Sequence, residues 1–226
     1  MLKHVPNALT CANLVCGCVG IISVFTTQTE AAYFVWAACV FDFFDGFTAR
    51  ILKVSSPIGK ELDSLADVVS FGVLPSLAMF RWIESESTSE WLRYGAIFIA
   101  IFSALRLAKF NIDENQSDSF TGVPTPANAL FITGLVFLPS GTHSVIFTET
   151  ALIIITIVFS LLLVAPVKLF ALKFKNYGWI GNEIRYAFLG LSSALLLFFH
   201  AGALPLIILS YIGISLLGRV SGIQKV

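Results

Sequence analysis

Asp42-Phe43-Phe44-Asp45-Gly46-Phe47-Thr48-Ala49-Arg50 is followed, eight residues later, by Gly59-Lys60-Glu61-Leu62-Asp63-Ser64-Leu65-Ala66-Asp67. Four aspartates thus fall within 26 residues of an otherwise strongly apolar run. A carboxylate in the hydrocarbon region of a bilayer is costly, and ionisable side chains placed there mark functional sites. Four so close together ask for one shared explanation.

The surrounding chain defines that solvent. Of 226 residues, 57% are hydrophobic and only 12% charged, with mean hydropathy +0.86. A soluble domain carries about 25% charged residues, so the sequence predicts an integral membrane protein. Its apolar stretches are about 20 residues long, the length of a spanning helix rather than of a ~10-residue barrel strand. The fold class is all-α, a polytopic bundle, with eight spans expected at about 6–26, 31–53, 60–83, 91–110, 124–140, 149–172, 182–200 and 203–219. Short loops favour antiparallel neighbours in a single domain over residues 1–226. The first span, opening near Pro6, is expected to be retained rather than cleaved as a signal peptide. Trp82, Trp91 and Trp179 near span ends read as interface anchors.

Lysine and arginine set the orientation. Eight spans place both termini on one side, together with Lys3, Arg50, Lys53, Lys60, Arg106, Lys109, Lys168, Lys173, Lys175, Arg185, Arg219 and Lys225. The other side keeps Arg81 and Arg93 with Glu30, Glu84, Glu86, Glu90 and Glu149. Both termini and the aspartates are therefore expected at the cytoplasmic face of an inner membrane, within reach of a water-soluble substrate and of a lipid. Cys11, Cys16, Cys18 and Cys39 read as buried, inert thiols. His4, His143 and His200 stand alone and suggest no chemistry, and no nucleic-acid partner is expected.

On helices, Asp42 and Asp45 are three apart and Asp63 and Asp67 four apart, so each pair shares a face. A short turn near residues 54–58 lets the two pairs oppose each other. Four such carboxylates cannot all stay ionised unaided, and two divalent cations balance them. Mg2+ or Mn2+ suits hard oxygen ligands and phosphate chemistry, and a two-metal site can clamp the attacking and leaving oxygens of a phosphoryl displacement. Gly46 and Gly59 leave room for a bulky group, and Arg50 offers a forked donor to a phosphate. The competing plain reading is helix-end carboxylates solvated or paired with Arg50, Lys53 and Lys60. An EF-hand is excluded, because Asp-x-x-Asp-Gly lacks its alternate-position ligands.

Asp42-x-x-Asp45-Gly46-x-x-Ala49-Arg50, eight residues, Gly59-x-x-x-Asp63-x-x-x-Asp67 resembles the signature of the CDP-alcohol phosphatidyltransferases, with every signature position filled. The resemblance implies a membrane enzyme that attacks the lipid-side phosphate of a CDP-linked lipid with an alcohol hydroxyl and releases CMP. It implies that Asp42, Asp45, Asp63 and Asp67 hold two divalent metals, that Asp67 is also the general base, and that Gly46, Ala49 and Arg50 line the CDP pocket. By the same likeness Asn7, Thr10, Ser56 and Gly59 contact the nucleotide. Residues 67–75, 104–111 and 122–127 are similar to segments of the branch that uses serine, with Lys109 where relatives often carry arginine. The implied substrates are CDP-diacylglycerol and L-serine, with Arg106 and Lys109 as acceptor-binding residues and a homodimer as the assembly. The likeness covers about residues 5–130, a catalytic core, and leaves 131–219 as additional helices. Other readings stay open: the same chemistry on glycerol 3-phosphate or an inositol phosphate, an intramembrane prenyltransferase, or a cation transporter. The prenyltransferase pattern wants a further aspartate where Ala49 stands. Transporters tend to show related halves, and here the carboxylates lie in two adjacent spans with no counterpart later in the chain.

Overall fold

A computed structural model describes residues 4–54, 56–112, 119–170, 178–179 and 181–220. Lys3, Lys173, Lys175, Lys225 and most of the polar run before Thr121 lie outside the described residues, as does the side chain of Arg219.

Helix α1 spans Val5–Val24, with Pro6 in its first turn. Its buried residues are Pro6, Thr10, Asn13, Gly17, Gly20, Ser23 and Val24, a stripe of small and polar groups at helical spacing. Val15, Val19 and Ile22 face outward instead. This inverts the pattern of a soluble helix. In lipid, apolar faces gain little from hiding, and small residues let helices approach closely. The approach is tight: a Cβ on Gly17 would lie 2.4 Å from Ser70 Oγ, and one on Gly20 would lie 2.3 Å from Leu74 Cδ1.

Helix α2, Gln28–Leu52, lies along α1 and buries the small residues Ala31, Ala32 and Ala38 beside Val35. It ends at Lys53, whose left-handed backbone (φ 51°) reverses the chain. Helix α3, Pro57–Asp67, starts from Ser56, whose Oγ accepts the Gly59 N–H at 3.0 Å. It runs through one π-helical turn, Val68–Val73, into α4, Leu74–Glu86. A 3-10 turn, Leu92–Ala96, leads to α5, Ile97–Ile112.

The chain departs from pure helix at two short strands. β1, Ser119–Thr121, pairs antiparallel with β2, Lys168–Phe170. Gly122 follows with φ +76°, and a Cβ there would sit 2.3 Å from the Leu163 carbonyl oxygen, so only glycine fits. Helix α6, Thr125–Gly134, continues as a 3-10 turn to Phe137. The chain then bends by 120° at Leu138-Pro139 into α7, Ser140–Ile146, so the expected straight span at 124–140 is broken. Helix α8, Glu149–Val164, is capped by Thr148 and stops short of Pro166. The span expected over 149–172 is therefore only this helix, and residues 168–170 form strand β2. Helices α9, Glu183–Phe199, and α10, Ala203–Val220, are separated by a 3-10 turn at His200–Gly202. They fold back on each other: the Phe188 and Tyr211 rings are 5.7 Å apart, whereas 23 residues of straight helix would separate them by roughly 34 Å.

By length and hydropathy, four described stretches can cross a membrane: Val5–Val24, Pro57–Glu86, Leu92–Ile112 and Glu183–Leu217. The bent pair α6–α7 makes at most a fifth. This is fewer than the eight spans expected. Helix α2, which carries Glu30, Asp42, Asp45 and Arg50, is not among the four. Helix α8 is too short, and the last stretch holds both arms of the α9–α10 hairpin. The architecture remains a polytopic helical membrane bundle. Its core centres on α4, with Leu74, Met79 and Ile83 packed among Ile99, Ile132, Leu135 and Leu152.

Two local expectations change. Trp82 is only 7% exposed and packs edge-on against Phe147, so it is a core residue and not an interface anchor. Cys11 and Cys18 are exposed on α1 rather than buried, because the small-residue stripe, not the apolar side, faces the bundle.

Candidate active site

The last turns of α2 and the body of α3 bring the aspartates together. Asp42, Asp63 and Asp67 each offer a carboxylate oxygen, and these atoms lie within 4.8 Å of one another. Asp45, one turn along α2 from Asp42, is not one of these three but lies within electrostatic reach of each. Its Oδ2 accepts a 2.7 Å hydrogen bond from Thr10 Oγ1 on α1. A single turn of α1 therefore reaches both helices, because Asn13 Nδ2 donates to Asp67 Oδ1 at 3.1 Å.

Thr10 and Asn13 are neutral donors. Among the described residues the ion pairs both belong to Glu84, on the far end of the α3–α4 span. Arg50, Lys53 and Lys60 do not pair with the aspartates. The Arg50 guanidinium is exposed and its Nε donates to the Gly46 carbonyl at 3.0 Å. Lys60 Nζ donates to the Asn111 carbonyl at 2.6 Å, and Asn111 Nδ2 donates to Ser64 Oγ at 2.8 Å, tying α3 to the end of α5. Asp63 Oδ1 is buried without a hydrogen-bond partner. Clustered carboxylates with an orphaned buried oxygen and no ion pair among the described residues are the donor set of a divalent, oxygen-loving metal. The cluster fits such an ion.

Around the aspartates the chain leaves space. A Cβ on Gly46 would meet nothing within 4 Å. Gly59 lies under two polar side chains, since a Cβ there would sit 3.0 Å from Ser56 Oγ and 3.1 Å from Asn7 Oδ1. Asn7, Ser56 and Gly59 thus converge at the start of α3, with Ser56 serving as its N-cap. Ala49 is half-buried on the Asp45 side of α2.

On α5 the two basic residues diverge. Lys109 is exposed. Arg106 is 8% exposed, with its Nε buried and unpartnered, and lies within electrostatic reach of Asp67 and Tyr211. Tyr211 is held in turn by its hydroxyl, which donates to the Phe170 carbonyl at 2.8 Å. A buried cation without an ion pair is costly unless something anionic meets it.

Sequence reasoning missed Asn13 as part of this site. The available signal was its spacing: it is three residues after Thr10, on a helix whose buried stripe is otherwise small.

A family model described as CDP-alcohol phosphatidyltransferase matches residues 3–171. The chain is similar to proteins named CDP-diacylglycerol–serine O-phosphatidyltransferase. The one from Helicobacter pylori strain J99 is 38% identical over 141 residues, 61% of this chain and 59% of that protein. The one from Bacillus subtilis strain 168 is 35% identical over 138 residues, 60% of this chain and 77% of that protein. The Methanocaldococcus jannaschii relative is 33% identical over 130 residues, covering 58% and 59%. The match thus spans about three fifths of the length of the Helicobacter relative.

Proposed function

The chain belongs to the CDP-alcohol phosphatidyltransferase family, and we propose that it transfers the phosphatidyl group of CDP-diacylglycerol to the hydroxyl of L-serine, giving phosphatidylserine and CMP. The observation that carries this reading is the grouping of Asp42, Asp63 and Asp67, none of which forms an ion pair among the described residues, with the buried Arg106 in electrostatic reach of Asp67. The names of the matched relatives point the same way.

Asp42, Asp45, Asp63 and Asp67 would hold two divalent cations, Mg2+ or Mn2+, which supply charge neutralisation and Lewis acidity at the diphosphate. The chain's own groups do the rest. Asn7, Thr10, Asp45, Gly46, Ala49, Arg50, Ser56 and Gly59 receive the CDP moiety, the glycines by leaving room and Arg50 by meeting phosphate with a fork of donors. Arg106, helped by Lys109, takes the carboxylate of serine. Asp67 accepts the proton of the serine hydroxyl. The serine oxygen then bonds to the lipid-side phosphorus, the bond from that phosphorus to the bridging oxygen breaks, and CMP departs with the electron pair. Positioning and preorganised charge supply most of the acceleration.

The distribution of lysine and arginine supports an inner-membrane protein with both termini and the site facing the cytoplasm. We place the catalytic core at about residues 5–130 within one domain, with the helices beyond as its flank, in a homodimer. The test is incubation of the purified full-length protein with CDP-diacylglycerol and a panel of acceptors. Serine-dependent release of CMP with phosphatidylserine, abolished by EDTA, is the expected result. CMP release with glycerol 3-phosphate or an inositol phosphate but not serine, or full activity after chelation, would overturn the reading.

A further inference from the structure

Each aspartate pair receives one hydrogen bond from α1. Thr10 serves Asp45 and Asn13 serves Asp67, and the two donors are one turn apart on the same stripe. Within the group Asp42, Asp63 and Asp67, Asp67 alone among the described residues carries such a side-chain donor. Asn13 is fully buried, and its amide must present Nδ2 to Asp67, because Oδ1 would set two acceptors against each other. A second bond from the same stretch fixes its position as well. Ser70 Oγ, in the π-helical turn directly after Asp67, donates to the Asn13 backbone carbonyl at 3.0 Å. Gly17, one turn further along α1, lets the backbones come close enough for both bonds.

We infer that Asn13 is the positioning residue of Asp67: it pins one carboxylate oxygen, so that Asp67 meets the cation and the acceptor hydroxyl in a single orientation. This rests on the role given to Asp67 above. Removing an outer hydrogen bond to a metal-ligating group typically costs 10–100-fold in metal affinity or activity. The loss of Asn13 should therefore appear in cation binding and in kcat, and leave the KM for CDP-diacylglycerol unchanged.

The experiment measures Mn2+ binding to the full-length protein without lipid substrate, and serine-dependent CMP release in parallel. Asn13→Ala is expected to weaken Mn2+ binding 10–100-fold. Asn13→Leu, close in size and apolar, keeps the packing should alanine leave the protein unstable, and is expected to show the same loss. Adding Asn13→Ala to Asp67→Asn is expected to cost no further Mn2+ affinity, since coupled residues do not add. Ser70→Ala removes the bond to the Asn13 backbone carbonyl but leaves the amide on Asp67, and is expected to weaken Mn2+ binding less than either Asn13 variant. Wild-type Mn2+ affinity in both Asn13 variants, additive losses with Asp67→Asn, or an equal loss in Ser70→Ala would each overturn the inference. A wild-type protein that binds Mn2+ but releases no CMP with serine would instead sink the proposed reaction and leave the Asn13 test standing.

Discussion

The helix pair α3–α4, one 30-residue stretch from Pro57 to Glu86, carries acidic side chains at both ends and treats them in opposite ways. At the α4 end, Glu84 pairs with both Arg81 and Arg93. Those arginines also lie over aromatic rings, Arg81 at 5.8 Å from the Phe25 centroid and Arg93 at 5.5 Å from that of Phe80. One carboxylate there has two cations, and the helix termini are tied together. At the α3 end, Asp63 and Asp67 join Asp42 with neutral donors only. The protein balances its own charge at the first end. At the second, three carboxylates meet no ion pair among the described residues, with Arg106 in electrostatic reach of Asp67. The difference separates a tether from a site more sharply than burial does, since Glu84 and Asp63 are both half-buried.

Substitutions at the two ends put the contrast at risk. Asp67→Asn should lower serine-dependent CMP release by about 10²–10⁴-fold, the usual worth of a positioned acid–base group. Arg106→Ala should raise the KM for serine by roughly 10–100-fold, as expected for a charged hydrogen bond of about 1.5–3 kcal/mol, while Mn2+ binding stays intact. Unchanged serine kinetics would remove Arg106 from the acceptor side. Gly17→Ala forces a methyl group against Ser70 and should destabilise the protein by about 1–3 kcal/mol, read as a lower thermal midpoint. The smallest effect belongs to the tether. Glu84→Gln should cost less than about 1 kcal/mol in stability, with CMP release unchanged. A loss at Glu84 matching that at Asp67 would erase the distinction.

Much of this could be read from the chain itself. The i, i+3 and i, i+4 spacings put each aspartate pair on one helix face, and Lys53–Pro57 supplied the reversal that opposes them. The group of three did not follow from spacing, and nor did the bond of Asp45 to Thr10, 35 residues away in sequence. Asn13 was hidden for the same reason: its partner is 54 residues distant, and its place three residues after Thr10 on the buried stripe was the only local signal. The count of eight spans is not confirmed: hydropathy does not see the 120° bend at Leu138-Pro139, since apolar residues continue through it, although it does place the break between α9 and α10 at 200–203.

The π-helical turn at Val68–Val73 has a consequence for the phase of the whole span. Such a turn holds one residue more than the α-helical turn it replaces, and one residue is about 100° of rotation. It acts as a splice between two registers. Upstream, the helix presents Asp63 and Asp67 toward α2 and α1; downstream, it presents Leu74, Met79 and Ile83 to the core. Deleting a single residue between Val68 and Val73 would restore a regular helix and keep the two halves in phase. Rewinding the same residues as α-helix with none removed would instead turn the carboxylates about a quarter of the way round relative to the core that anchors them.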